Sequence, residues 1–128
     1  MNITVGMKGK VSTQVERADT ALEVGSGNLL VYATPCMVAL MEGAACDAIA
    51  EAIPEEKTTV GIELNITHIS ATPVGMDVYA EAEVTEVNGS TVTFTVTAYD
   101  ESGKIGEGTH KRAVISIQRF LDKTYSKL

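Results

Sequence analysis

A long run of almost entirely apolar residues constrains the fold of this chain more than any other feature. Residues 35–53 read PCMVALMEGAACDAIAEAI, and their only charged side chains are Glu42, Asp47 and Glu51. Thr34 followed by Pro35 predicts the start of a helix, with Thr34 as the N-cap, and the helix should run to about Ile53. A helix that is apolar around almost its whole circumference must be covered by other parts of the protein.

Strand-like segments after this helix provide the cover. They are rich in Thr, Val and Ile and occupy residues 58–70, 76–87, 91–100 and 104–118. The Asn-Gly pair at 88–89 and the turn at 100–104 predict that the last three segments form an antiparallel meander. A further strand is expected near residues 10–15, before a loop at 18–31. The predicted fold class is α+β, with an antiparallel β-sheet curled around one long central α-helix.

Alternation along these segments predicts which residues face the helix. The apolar face of the meander should consist of Met76, Val78, Ala80, Ala82 and Val84 together with Val92, Phe94, Val96 and Ala98. The buried face of the preceding strand should consist of Val60, Ile62, Leu64, Ile66 and His68. A lone histidine on an apolar face is more often a core residue than a catalyst, so a role for His68 needs a second observation.

The composition fits one domain that covers residues 1–128, because 45% of the 128 residues are hydrophobic, enough for a single core. No stretch approaches the roughly 20 apolar residues that cross a bilayer, and no leader pattern is visible, so we expect a cytoplasmic protein that does not bind membranes. Cys36 and Cys46 lie about 15 Å apart along the predicted helix and so cannot form a disulfide within the chain. The spacing of Cys and His predicts no metal site.

The net charge of −7 argues against nucleic acid as the main partner, because phosphate backbones are bound by clustered Lys and Arg. The average conceals a basic C-terminal segment. Residues 111–128 contain five cationic residues and one acidic residue, a net charge of +4, which leaves −11 for the other 110 residues. This segment is either a solvated basic edge, which is the more common case, or a contact for a small phosphorylated ligand.

Glu42 is the second polar residue in an apolar setting. It follows Leu40 and Met41 on the predicted helix, where an ionised carboxylate costs several kcal/mol unless it has a partner or faces a cavity. The alternative is that Glu42 lies on a narrow exposed stripe. A histidine and a carboxylate on facing elements are the usual components of acid–base chemistry, and this combination raises the case for both Glu42 and His68.

The start of the helix is a further candidate. Capping alone explains Thr34, but the helix N-terminus should also offer the free N–H groups of Cys36 and Met37 to a developing oxyanion. Cys36 could itself be a nucleophile, although burial among apolar neighbours favours an inert thiol. Thr34 and Glu42 are about 12 Å apart along one helix, so a site that uses both needs a substrate spanning them, or two subunits.

Three stretches form a combination that is rare outside one family. They are TPCMVALMEGAAC on the helix, THISATPVG at the end of the next strand, and GEGTHKRAVI on the last strand. Together they resemble the hotdog-fold thioesterases, and specifically the fluoroacetyl-CoA thioesterase-like branch, over about residues 6–120. The resemblance implies a hotdog fold and hydrolysis of an acyl-CoA to the free acid and CoA.

The resemblance also implies roles for particular residues. Thr34, Glu42 and His68 match the family's catalytic threonine, glutamate and histidine. Gly61 matches a strand glycine that lets the thioester approach the backbone, and Arg112 matches an arginine near the pantetheine and phosphates of CoA. Family members form homodimers with sites at the interface, which would resolve the distance between Thr34 and Glu42. The CoA thioester is the substrate, and no cofactor is implied.

Residues 17–31 contain no Phe, Tyr or Trp, whereas the fluoroacyl-selective member of the branch places aromatic side chains there. A short or medium acyl-CoA is therefore the expected substrate, and the acyl chain itself stays open. An acyl-thioester hydratase or dehydratase on the same fold and a non-catalytic acyl-CoA-binding module are the alternatives. The sequence also leaves open whether Thr34 or Glu42 is the nucleophile, which subunit supplies each residue, and any assembly beyond a dimer.

Overall fold

The computed structural model describes residues 2–128 and contains a five-stranded sheet in the order β1-β3-β4-β5-β2, in which all neighbouring strands are antiparallel. The strands are β1 (Lys8–Gln14), β2 (Lys57–His68), β3 (Asp77–Asn88), β4 (Thr91–Asp100) and β5 (Gly103–Ser116). The helices are α1 (Ala21–Val24), α2 (Thr34–Ile49) and α3 (Ile117–Tyr125), and short 3-10 turns occupy Arg17–Asp19 and Ala50–Ala52. The predicted α+β class, the early strand and the antiparallel meander are confirmed.

The boundaries of the central helix α2 differ from the prediction at both ends. Ala33 is the N-cap, and Thr34 is already helical, with Pro35 in the first turn. The hydroxyl of Thr34 bonds to the side chain of His68 instead of capping the helix. At the other end α2 stops at Ile49, and a 3-10 turn carries the chain on to Ala52.

The core lies between α2 and one face of the sheet. The buried residues of α2 are Met37, Met41, Ala44, Ala45 and Ile49. They face the buried residues of the meander, namely Val78, Ala80, Ala82, Val84, Val92, Phe94, Val96 and Ala98, as the alternation predicts. α2 packs mainly against β1 and β3 and touches β2 only lightly.

Gly9 permits the close approach of β1 to α2. A Cβ at Gly9 would overlap the backbone of Ala44 and Ala48, which cannot move aside as a flexible side chain could. We expect Gly9→Val to lower the free energy of unfolding by about 3 kcal/mol, as overpacking of a rigid contact does. Urea denaturation measures this, with Gly43→Ala as the control at the same interface. The Cβ added there meets Val11 at an ordinary 3.6 Å, so an unchanged or raised stability is expected for the control alone.

The predicted buried face of β2 is wrong at Ile62 because the strand contains a bulge, although Val60 is partly buried. Gly61 pairs with Arg112 and Glu63 pairs with Lys111, so Ile62 is an extra residue between them. Leu64, Ile66 and His68 are partly buried as predicted, but the side chain of Ile62 is 54% exposed. Before the bulge the odd-numbered residues face inward instead, which brings Gly61 against the inner side of the sheet.

Two further differences concern short helices. Residues 18–31, predicted as a loop, include α1, and the predicted strand 104–118 ends at Ser116, where α3 begins. None of the helices in residues 2–128 is long and apolar enough to cross a membrane.

Candidate active site

Thr34 and His68 meet at the start of α2. The hydroxyl of Thr34 lies 2.7 Å from Nδ1 of His68, a short hydrogen bond between the first residue of the helix and the last residue of β2. Nε2 of His68 is buried and has no hydrogen-bond partner within residues 2–128. A hydroxyl bonded to an imidazole is the arrangement that activates a nucleophile, and the second ring nitrogen is where a third group would act.

A pocket of about 300 Å³ opens beside this pair. Its walls are formed by Ala21, Ser26, Val31, Tyr32, Thr34, His68, Ile69, Ser70 and Ala71. Most of these side chains are small, and Tyr32 is the aromatic one, only 3% exposed. The pocket can therefore take a small, mainly apolar group against the hydroxyl and the imidazole.

The surroundings of His68 keep its ring neutral. Burial lowers the pKa of His68 below its ordinary value of 6.5, and a smaller contribution from the backbone of Ser70 opposes the shift. A neutral imidazole can accept a proton, so His68 is suited to act as a base near neutral pH.

Glu42 belongs to a separate cluster. Its Oε2 accepts a hydrogen bond of 3.0 Å from Nη1 of Arg112 and lies 3.9 Å from Nε2 of His110. The side chain of Glu42 is 39% exposed, whereas that of Arg112 is only 8% exposed. The partner that the sequence requires for this carboxylate is therefore an arginine on β5.

Arg112 is held at both ends of its guanidinium group. Nε donates to the hydroxyl of Thr59 at 2.9 Å, and Nη2 donates to the backbone oxygen of the same residue at 3.1 Å. Nη1 donates to Glu42 and also to Nε2 of His110 at 3.1 Å. Nearly all the donors of the group are used within the chain, so Arg112 fixes Glu42 in place. The implied contact of Arg112 with CoA stays a prediction.

Gly61 makes room for the carboxylate. A Cβ at this position would lie 2.5 Å from Oε2 of Glu42 and 3.2 Å from Cε1 of His110. The atom that it meets first is the end of a flexible side chain, so the carboxylate would move and the backbone would stay in place. The strand glycine thus shapes the surroundings of Glu42, while its predicted approach to the thioester is not tested.

We expect Gly61→Ala to lower kcat about 10-fold while the free energy of unfolding changes by less than about 1 kcal/mol, because it would displace Glu42, whose catalytic role the family resemblance implies, without disturbing the backbone. Steady-state acyl-CoA hydrolysis and urea denaturation measure the two quantities. In the Glu42→Gln background the same substitution should cost little more. An equal loss in both backgrounds would contradict this role of Gly61.

The structure does not bring all the predicted catalytic residues together within one chain. Thr34 contacts His68, whereas the polar partners of Glu42 are Arg112 and His110. The prediction of free N–H groups at the helix start is wrong, because the amides of Cys36 and Met37 both donate to the backbone oxygen of Ala33 at 3.0 Å. Their predicted contact with the substrate finds no support in these bonds.

Within residues 2–128 neither thiol is in a disulfide, and Cys36 has the character of an inert group. Cys36 and Cys46 are both free. Burial raises the pKa of Cys36, and the nearby charge of Asp19 raises it further. A nucleophilic role for Cys36 is therefore disfavoured, in agreement with its apolar neighbours.

His110 and Thr59 were missed at the sequence level. The signal was present, because the same alternation that places Arg112 and Val114 on the inner face of β5 also places His110 there. Within residues 2–128 no group of three His, Cys, Asp or Glu residues is arranged to hold a metal ion.

Solved structures with the same architecture include thioesterases. A structure of a threonine-to-serine variant of FlK, described as the fluoroacetyl-CoA enzyme and in complex with acetyl-CoA, has a TM-score of 0.93 and 31% identity and covers 98% of each chain. A thioesterase superfamily member from Thermus thermophilus has a TM-score of 0.86 and 26% identity over the whole of both chains. The fold is thus that of the hotdog thioesterases, as predicted.

The sequence comparisons narrow the class. The family model for FlK, fluoroacetyl-CoA-specific thioesterase, matches residues 15–118. The fluoroacetyl-CoA thioesterase of Streptantibioticus cattleyicolor is 39% identical over 97 residues, which are 76% of this chain and 70% of that protein. The chain belongs to the fluoroacetyl-CoA-specific thioesterase family.

Proposed function

We propose that this thioester hydrolase cleaves short or medium acyl-CoAs, with Thr34, His68 and Glu42 as its catalytic residues. The observation that carries the proposal is the 2.7 Å bond between Thr34 and His68 beside a pocket of about 300 Å³. Support for CoA as the leaving group comes from relatives, since one FlK structure holds fluoroacetate and CoA and another holds acetyl-CoA. No cofactor other than the substrate is invoked.

The proposed active unit is a homodimer, which supplies a partner for Nε2 of His68. β2 is an edge strand of the sheet with an exposed Ile62, and long edge strands are normally paired or covered. Antiparallel pairing of two β2 strands about Leu64 and Asn65 would set His68 of one copy opposite Gly61 of the other. Since Gly61 lies against Glu42, Glu42 of the partner subunit would approach His68.

In the proposed reaction Thr34 is the nucleophile. Nδ1 of His68 takes the hydroxyl proton while Oγ1 attacks the thioester carbonyl, and Glu42 of the partner subunit orients the imidazole and stabilises its charged form. The C–S bond then breaks, and the thiolate of CoA leaves with the proton from His68. Water, deprotonated by His68, attacks the ester on Thr34; the bond between the acyl carbon and Oγ1 breaks, His68 returns the proton to Oγ1, and the acid is released. The positive end of the α2 dipole favours the oxyanion.

The pH dependence of kcat/KM should report the protonation of His68. Burial lowers the pKa of His68 and Glu42 of the partner subunit would raise it, so activity should be constant at pH values above this pKa and fall tenfold per pH unit below it. A stopped assay of acetyl-CoA hydrolysis from pH 5 to 8 measures this.

His110 also has a pKa that burial lowers, so His110→Gln is the matched control for the acidic limb. The limb should persist in this variant, which cannot titrate at position 110. Its disappearance would assign the limb to His110.

The direct test of the function is an acyl-CoA panel. Acetyl-, butyryl-, hexanoyl- and crotonyl-CoA are incubated with the protein, and free thiol and enoyl absorbance are followed together. Thiol release that is lost in Thr34→Val and largely kept in Thr34→Ser supports hydrolysis by the hydroxyl. A change in enoyl absorbance without thiol release would identify a hydratase, and binding without either would identify a binding module.

Mass spectrometry of the protein after a single turnover tests the nucleophile. An acyl adduct on Thr34 supports the proposed reaction, and an adduct on Glu42 would assign the attack to the carboxylate.

Light scattering of the protein as it leaves a size-exclusion column tests the dimer. Ile62→Glu should shift the protein toward the monomer with loss of activity. A monomer with full activity would overturn the shared site.

A further inference from the structure

His110 lies in the cluster that also contains Glu42, Arg112 and Thr59, yet the proposed reaction gives it no role. Its side chain is 2% exposed, and its ring stacks on Phe94 with the centroids 6.1 Å apart. We infer that His110 is a positioning residue, which orients the guanidinium of Arg112 and through it holds the carboxylate of Glu42 for catalysis. This inference rests on the proposed catalytic role of Glu42.

The contacts of His110 define which ring nitrogen carries the proton. Nδ1 lies 2.8 Å from the backbone oxygen of Glu63, which can only accept a hydrogen bond, so Nδ1 is the donor. Nε2 lies 3.1 Å from Nη1 of Arg112, which can only donate, so Nε2 presents its lone pair. The neutral tautomer protonated at Nδ1 satisfies both contacts.

The lone pair on Nε2 has a directional effect on Arg112. Nη1 carries two hydrogens, and its two acceptors are Nε2 of His110 and Oε2 of Glu42. Thr59 holds the other side of the guanidinium through two further bonds. His110 and Thr59 thus fix the plane of the group, and this plane determines where Oε2 of Glu42 is bound.

A proton on Nε2 would undo this arrangement. Two donors would then face each other across 3.1 Å, and Nε2 would compete with Arg112 for Oε2 of Glu42, which is 3.9 Å away. Burial lowers the pKa of His110, and the neighbouring positive charge of Arg112 lowers it further, so that protonation is disfavoured. With His110 neutral, Oε2 of Glu42 is held by Nη1 of Arg112. Oε1 of Glu42 is then left for its proposed task at His68 of the partner subunit.

Two substitutions separate positioning from packing. His110→Phe fills the site but removes the acceptor, and we expect it to lower kcat about 10-fold with less than a twofold change in KM. His110→Gln can offer an amide oxygen near the position of Nε2 and should recover most of kcat. Val96→Ala is the control for packing, because it creates a cavity in the same sheet at a residue that is 1% exposed. It should lower the melting temperature and leave kcat unchanged.

The Glu42→Gln background gives the decisive comparison. If His110 acts through Glu42, His110→Phe should change the residual kcat of Glu42→Gln by less than about twofold, because residues that act as a unit are not additive. A further 10-fold loss would make His110 a structural residue and overturn the inference. Full activity of Glu42→Gln alone would instead reject the catalytic role of Glu42 in the proposed function.

A spectroscopic measurement tests the geometry without any assay of activity. Long-range ¹H–¹⁵N correlation spectra of the wild-type protein at neutral pH should show His110 as neutral, with a protonated Nδ1 and an unprotonated Nε2. In Arg112→Lys the Nε2 signal should shift, because its donor is changed. A wild-type ring that is protonated at Nε2 would contradict the inference, whatever the kinetics show.

Discussion

His68→Ala should lower kcat for acyl-CoA hydrolysis by about 10² to 10⁴-fold, the range that a general base contributes. The free energy of unfolding should fall by no more than about 1 kcal/mol, because the side chain makes one hydrogen bond, to Thr34. Stopped-flow detection of free thiol and urea denaturation of the same preparation measure both quantities. The large loss of rate with a small loss of stability is the signature of a group that acts on the substrate.

Thr67→Ala is the matched control for this experiment. Thr67 precedes His68 on β2, and its exposed side chain points away from the pocket wall. Its kcat should equal that of the wild type within about twofold. If His68→Ala hydrolysed the substrate at more than a tenth of the normal rate, Thr34 would not depend on His68 as its base. That result would contradict the proposed reaction.

Arg112→Met should be strongly destabilising, because it removes one donor group from three neighbours. Glu42, His110 and Thr59 each lose a hydrogen bond to the guanidinium. We expect the free energy of unfolding to fall by about 3 kcal/mol, at the low end for a broken buried pair since Glu42 is 39% exposed. kcat should fall as well, because Glu42 loses its anchor. Urea denaturation monitored by circular dichroism gives the first quantity.

The double variant Glu42→Gln with Arg112→Met isolates the electrostatic contribution to the loss of stability caused by Arg112→Met. It should be more stable than Arg112→Met alone, because no carboxylate is left without its cation. Arg112→Lys keeps a charge but cannot reproduce the planar set of bonds to Thr59 and Glu42, so only partial recovery is expected. A stability of Arg112→Met equal to that of the wild type would mean that the cluster does not contribute to folding.

The architecture was predictable because its signals are local. The Pro at the start of α2, the apolar circumference of that helix and the Asn-Gly turn each act over a few residues. The amphipathic pattern of α3 is also present in the sequence, with exposed Ile117, Phe120 and Leu121 on one side, but the predicted strand extends to residue 118 and no helix is predicted after it. Strand and helix periodicities are hard to separate over so short a segment.

The site was only partly predictable because its contacts are distant in sequence. Thr34 and His68 are 34 positions apart and Glu42 and Arg112 are 70 apart, and both pairings depend on how β2 and β5 align. Alternation placed His68 correctly but failed at Ile62, because a bulge exists only relative to a neighbouring strand. The unusual setting of Glu42 signalled that a partner exists, without identifying it as Arg112.

The bulge at Ile62 decides which residues of β2 face inward. Ile62 is 54% exposed and has no partner on β5. Simple alternation through Ile62, without the bulge, would turn Thr59 and Gly61 to the outer side of the sheet, away from Arg112. Because of the extra residue, Gly61 and His68 face the same side of the sheet although an odd number of positions separates them, so one strand borders both the carboxylate of Glu42 and the hydroxyl of Thr34.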